Sequence, residues 1–152
     1  MEQTKLKDVV DFTSSKSFAV VGVSRSSNKF GNTLFKELKK RDLKVYPIHP
    51  KAKEHHGSAC YDAISSLPEK VEAIVICTKP ANTLNTVTAA IDAGINKIWL
   101  QQGAESEEAI QFAKAKGATV IAKECLLMFL EPAGFPHNVH KCLWGWFGKL
   151  PK

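Results

Sequence analysis

The stretch Phe18-Ala19-Val20-Val21-Gly22-Val23-Ser24-Arg25-Ser26-Ser27-Asn28-Lys29-Phe30-Gly31 decides the fold. It begins as an apolar run with no polar alternation, the mark of a strand buried on both faces. It breaks at a glycine and passes through hydroxyls, an amide and two cations. It then enters a segment in which Phe30, Leu34 and Leu38 recur at helical spacing before Asp42. Strand, glycine turn and helix in that order make the first half of a parallel crossover unit.

Outward from that unit the pattern repeats. Val45–Ile48, Ala73–Cys77, Lys97–Gln101 and Ala118–Ala122 read as further strands, most of them continuous apolar runs. Between them lie helices with clear punctuation. Leu84, Val87 and Ile91 share a face between Pro80 and Gly94, with proline opening and glycine closing the element. Glu105, Glu107 and Glu108 precede Ala109, Phe112 and Ala113, and Lys114 and Lys116 come before Gly117, so the charges match the helix dipole. The alternation predicts an α/β fold: a doubly wound, Rossmann-like parallel sheet in three layers, with ligands bound beyond the strand C-termini. Pro50–Pro68 is weaker, a loop with a short edge strand near Ser58–Tyr61 and a helical turn around Asp62–Leu67. Pro47 lies inside the second strand, where a missing N–H predicts that pairing ends early.

The composition bounds the chain to one domain over residues 1–152. With 152 residues and 44% hydrophobic content it can bury a core without staples, and it is neither collagen-like, coiled-coil nor disordered. Its core spans about 17–124, and residues 125–152 form an aromatic C-terminal tail. Read as a helix after Pro136, the tail puts Val139, Cys142, Leu143 and Trp146 on one stripe. That stripe is expected to pack on its own domain; a homodimer interface and a membrane surface are the competing fates. No apolar run approaches the roughly 20 residues of a membrane span. The mixed charges of Met1–Asp8 do not make a signal peptide, which places the protein in the cytoplasm. Cys60, Cys77, Cys125 and Cys142 are scattered, suggesting neither a disulfide framework nor a zinc ribbon.

The net charge of +6 is concentrated in residues 1–50, which hold ten bases and five acids. Lys36, Lys39, Lys40 and Arg41 can be read as complements to a helix C-terminus, or the excess can be read as serving an anionic ligand. The turn after the first strand is the place for that ligand, because helix N–H groups point there. A dinucleotide fingerprint would have a second glycine where Ser24 stands, and an acid after the second strand, where the chain reads Ile48-His49-Pro50-Lys51. NAD is therefore disfavoured. Hydroxyls, Asn28, Arg25 and Lys29 in the turn, with Lys51 and Lys53 beyond it, suit a phosphate-rich ligand.

Gly22-x-Ser24, Lys29-x-Gly31, Pro47-Ile48-His49-Pro50-Lys51 and Ile74–Pro80 together resemble the stand-alone CoA-binding domain family. That family's fold is similar to the N-terminal domain of the succinyl-CoA synthetase alpha subunit. The resemblance covers about Ser17 to Glu124. It implies coenzyme A, free or acylated, as ligand. Gly22 would admit close backbone approach, Ser24, Arg25 and Lys29 would face phosphates, and Asn28 and Gly31 belong to the same cofactor-binding turn. Pro50 and Lys51 would flank the adenosine 3′-phosphate, and Cys77, Thr78, Lys79 and Pro80 would border the nucleotide opposite. His49 stands where the family commonly shows Asn. The implied function is binding of CoA or acyl-CoA without chemistry, with a homodimer as an option. The alternatives are a small enzyme using His49 as a base beside a thioester, or a Rossmann module for another phosphorylated ligand. No catalytic motif is present, no RNA-binding signature accompanies the charge, and His137-x-x-His140-x-Cys142 lacks a fourth ligand for a metal. His55-His56 reads as part of a solvated loop.

Overall fold

The computed structural model describes residues 4–24 and 29–130. Its elements are helix α1 (Leu6–Thr13), strand β1 (Ser17–Val21), α2 (Phe30–Lys39), β2 (Lys44–Ile48), the short strands β3 (Glu54–His55) and β4 (Ser58–Ala59), β5 (Ala73–Ile76), α3 (Pro80–Asp92), β6 (Lys97–Gln101), α4 (Glu107–Ala115) and β7 (Thr119–Glu124). Single 3-10 turns lie at Ile64–Ser66 and Leu126–Met128. Five parallel strands form one sheet in the order β2-β1-β5-β6-β7, and β3 and β4 form a separate antiparallel pair.

The apolar strands divide their side chains by a period of two. Phe18, Val20, Val75 and Trp99 join one core with Val9 and Phe12 of α1 and Leu34, Phe35 and Leu38 of α2. Ala19, Ile74, Ile76, Ile98 and Leu100 join the other with Val87 and Ala90 of α3 and Ala109 and Ala113 of α4. The result is the expected doubly wound, three-layer α/β fold. Trp99 anchors the first core, with its ring 5.1 Å from that of Phe12 and 5.6 Å from that of Phe129, while its Nε1 donates to the Glu124 carbonyl at 3.0 Å.

Three features depart from the sequence reading. Helix α1 lies outside the anticipated elements, and its Val9 and Phe12 extend the core before residue 17; Leu126, Phe129 and Leu130 extend it past 124. The rest of the aromatic tail, residues 131–152 with His137, His140, Cys142, Trp144 and Trp146, lies outside the described residues. Finally, Pro47 does not end the pairing of β2, whose register with β1 runs from Ser17↔Lys44 to Val21↔Ile48. The reason is that β2 is an edge strand and Pro47 faces outward, where its carbonyl accepts from Tyr61 N at 3.0 Å. The missing N–H is on the outer side of β2, away from the ladder with β1, where only the single bridge of Ile48 to Tyr61 forms.

Candidate functional site

The strand order reverses between β1 and β5: from β1 the chain moves to β2 on one side and to β5 on the other. In a doubly wound sheet the crevice beyond the strand ends at that switch point is where a ligand sits. A cavity of about 360 Å³ occupies the place, walled by Gly22 after β1, Ile48 and Pro50 at the end of β2, Thr78 after β5, and one face of α3.

Gly22 lines it, and Gly31 packs against Gly22 from behind. Gly22 has φ +107°, and a Cβ there would lie 2.8 Å from the backbone carbonyl of Cys77. Its missing side chain lets the ends of β1 and β5 close on each other, helped by a hydrogen bond from Cys77 N to Val21 O at 2.8 Å. A Cβ on Gly31 would come within 2.5 Å of the Gly22 carbonyl, so the first turn of α2 sits directly on the strand end. Asn32 then fixes the turn between them. It is 2% exposed, its Oδ1 accepts from Ser24 N at 2.8 Å, and its Nδ2 donates to Ser24 O at 3.0 Å. Asn32 was missed in the sequence, although an amide on the buried side of a helix needs partners and is a signal in itself.

Among the described residues the N-terminus of α2 has no side-chain cap. Its N-cap residue is Lys29, which supplies no acceptor, and its first turn has no acid. Helix α3 starts the same way, from Lys79 with Pro80 at its first position. Lys51 and Lys79 each lie three residues past a strand end, and with Lys29 they are exposed. Arg25 and Asn28 lie outside the described residues.

At the end of β5 the two side chains part company. The Cys77 thiol packs against the α2-side core, and burial, with Cys125 nearby, pushes it up to about 12. It is a protonated packing group, not a nucleophile. Thr78 lines the cavity, and its buried Oγ1 has no hydrogen-bond partner among the described residues. Opposite it are Asn82, Asn85 and Thr86 of α3, polar residues that the sequence reading left unassigned. Their only signal was a spacing of three and four along one helix face. One carboxylate, Asp62, also lines the cavity and accepts from Ser66 Oγ at 2.5 Å.

His55 is a correction. It is 7% exposed and belongs to β3, because the Phe35 ring stands 5.0 Å from it and the His56 ring 4.3 Å. Burial, then the nearby His56, Lys36 and His49, pull its pKa below the ordinary value. Among the described residues no cluster of His, Cys, Asp or Glu could hold a metal ion, and no helix is long and apolar enough to cross a membrane.

Comparison with known proteins decides the family, since the CoA-binding domain model matches residues 16–131. This chain belongs to the CoA-binding domain family. It is 27% identical over 124 residues to an ADP-forming acetate–CoA ligase of Archaeoglobus fulgidus, a match covering 74% of this chain and 18% of the ligase. A conserved hypothetical protein from Pyrococcus furiosus superposes with a TM-score of 0.72 at 33% identity, covering 76% of this chain and 99% of that one. A dinucleotide-forming acetyl-coenzyme A synthetase of Ca. Korarchaeum cryptofilum, solved with phosphate and ADP, gives 0.62 at 31% identity over 69% of this chain and 25% of its own. The chain thus spans less than a fifth of the ligase and a quarter of the synthetase. As a CoA-binding domain it shares one module with them.

Proposed function

We propose that the protein binds coenzyme A, free or acylated, with the pyrophosphate at the N-terminus of α2, and does no chemistry of its own. The observation that carries this reading is the crevice at the β1/β5 switch point, lined by Gly22, Pro50 and Thr78, with Gly31 packed on the Gly22 carbonyl and exposed Lys29, Lys51 and Lys79 in the connections that follow β1, β2 and β5. Open helix N–H groups favour an anion there, and lysines add charge-assisted bonds. Ser24, Arg25, Asn28 and Lys29 take the pyrophosphate; Thr78 and Lys79, with Pro80 behind them, border the nucleotide from β5. Pro50 and Lys51 read the 3′-phosphate. Cys77 contributes its backbone to the crevice and its thiol to the core.

The ligase and synthetase relatives are much longer, so their reactions are not carried over to this chain.

Calorimetry with CoA, dephospho-CoA and NAD tests the reading. CoA should bind and NAD should not; equal affinity for both would reduce the site to a generic nucleotide pocket. Lys51→Glu should weaken CoA about tenfold or more and dephospho-CoA much less. Turnover of acyl-CoA by the wild type, lost in His49→Ala, would replace the binding reading with an enzymatic one.

A further inference from the structure

His49 follows β2 directly, and its ring organises the chain that comes next. Its Nδ1 accepts from two backbone amides, Lys51 N at 3.0 Å and Ala52 N at 3.0 Å. Its own backbone N donates to Tyr61 O at 2.9 Å, which ties the residue to the sheet edge. Asn and Asp side chains commonly close turns this way with an oxygen; here a ring nitrogen takes that part. The turn so closed presents Pro50 to the crevice and Lys51 to solvent. A neutral imidazole has one acceptor nitrogen, so in this geometry the proton resides on Nε2. A second proton can go only to Nδ1, where it converts the acceptor of two N–H groups into a donor facing them.

We infer that His49 is a positioning residue for the turn Pro50–Ala52 and makes the hold on a phosphate-bearing ligand proton-sensitive, firm with a neutral ring and loosened with a charged one. This rests on the CoA reading of the crevice. The groups near His49 are Lys51 on its own turn, His55 on β3, and Cys60 and Tyr61 after β4. Protonation therefore costs the turn both of its hydrogen bonds while adding charge near the ligand, and the lost geometry is the dominant effect.

Two measurements on the full chain test this. In the ligand-free protein, an NMR titration from about pH 8 to about pH 5.5 covers the histidine range. The Lys51 and Ala52 amides should shift together with the His49 ring, and in His49→Asn they should not titrate. By calorimetry, wild-type affinity for CoA should fall about tenfold across that range, the size expected for losing two backbone hydrogen bonds. His49→Ala should be weakened about as much already at pH 8, and His49→Asn should restore what it loses there. At low pH, His49→Asn should lose only the part due to the ligand's own phosphate. The inference is overturned if the two amides ignore the ring, if His49→Ala matches the wild type at both pH values, or if affinity rises on acidification, which would make the ring a direct cation for phosphate. If no protein binds CoA at any pH, the CoA reading fails, and the amide titration still decides the positioning role.

Discussion

Helices α2 and α4 begin in opposite ways. At α4 the chain completes its own N-terminus: Ser106 Oγ accepts from Ala109 N at 3.3 Å, and Glu107 and Glu108 occupy the first turn. At α2 the corresponding position is Lys29, and the first turn, Phe30-Gly31-Asn32, has no acid. A capped end with acids satisfies its orphan N–H groups and its dipole internally. An open end flanked by a cation leaves both to an anion from outside. The two helices lie on opposite faces of one sheet, so the contrast separates a helix that completes its own end from the one to which the proposed function assigns the ligand's phosphates.

The strongest way to break the contrast is to move α2 itself. Gly31→Ala forces a methyl into the Gly22 carbonyl and should destabilise the fold by about 1–3 kcal/mol. Thermal melts should show the loss, and calorimetry should show CoA binding gone with it. Next is an attempt to make α2 resemble α4. Lys29→Asp provides a cap and a negative charge where the ligand's phosphates belong, so CoA affinity should drop more than tenfold while the melting temperature holds or rises. A variant that lost stability and affinity together would show that Lys29 supports the fold.

The reverse operation is smaller. Ser106→Ala should cost about 1 kcal/mol of stability and leave CoA affinity unchanged. Smallest is an effect outside both helix ends. His55 has a lowered pKa, so the unfolded chain binds a proton that the folded chain refuses. Stability should therefore fall as pH drops below the ordinary histidine value of 6.5 and level off below the depressed folded value. His55→Phe should flatten that part of the stability profile, as followed by urea melts at several pH values.

How legible these features were in the sequence follows from how local their causes are. The strands Phe18–Val21 and Ala73–Ile76 were readable because burial on both faces erases polar alternation. The acidic start of α4 was readable because Glu105, Glu107 and Glu108 sit together in sequence, whereas the Ser106 cap was not read. Helix α1 was not: its exposed Leu6 and Val10 flank the buried Val9 and Phe12 and blur the apolar stripe. The crevice divides along the same line. Gly22, Pro50 and Thr78 could be placed by counting from strand ends. Asn82 and Asn85 could not, because a polar helix face looks the same in sequence whether it meets solvent or a cleft. His55 reads as solvated in the sequence because a hairpin of two-residue strands leaves no period to read, and the ring that covers it, Phe35, lies twenty residues away.

Pro47 has a further effect on how the molecule meets its own kind. An edge strand invites a foreign strand to dock, and aggregation of β-proteins often starts there. Along the C-terminal half of β2 the outward positions are already spoken for: Pro47 has no N–H, its carbonyl is taken by Tyr61 N, and His49 N is taken by Tyr61 O. An arriving chain would find neither a free donor nor a free acceptor at these positions. The residue that looked like an interruption in the sheet therefore acts as its selvedge, stopping the weave at the margin nearest the crevice.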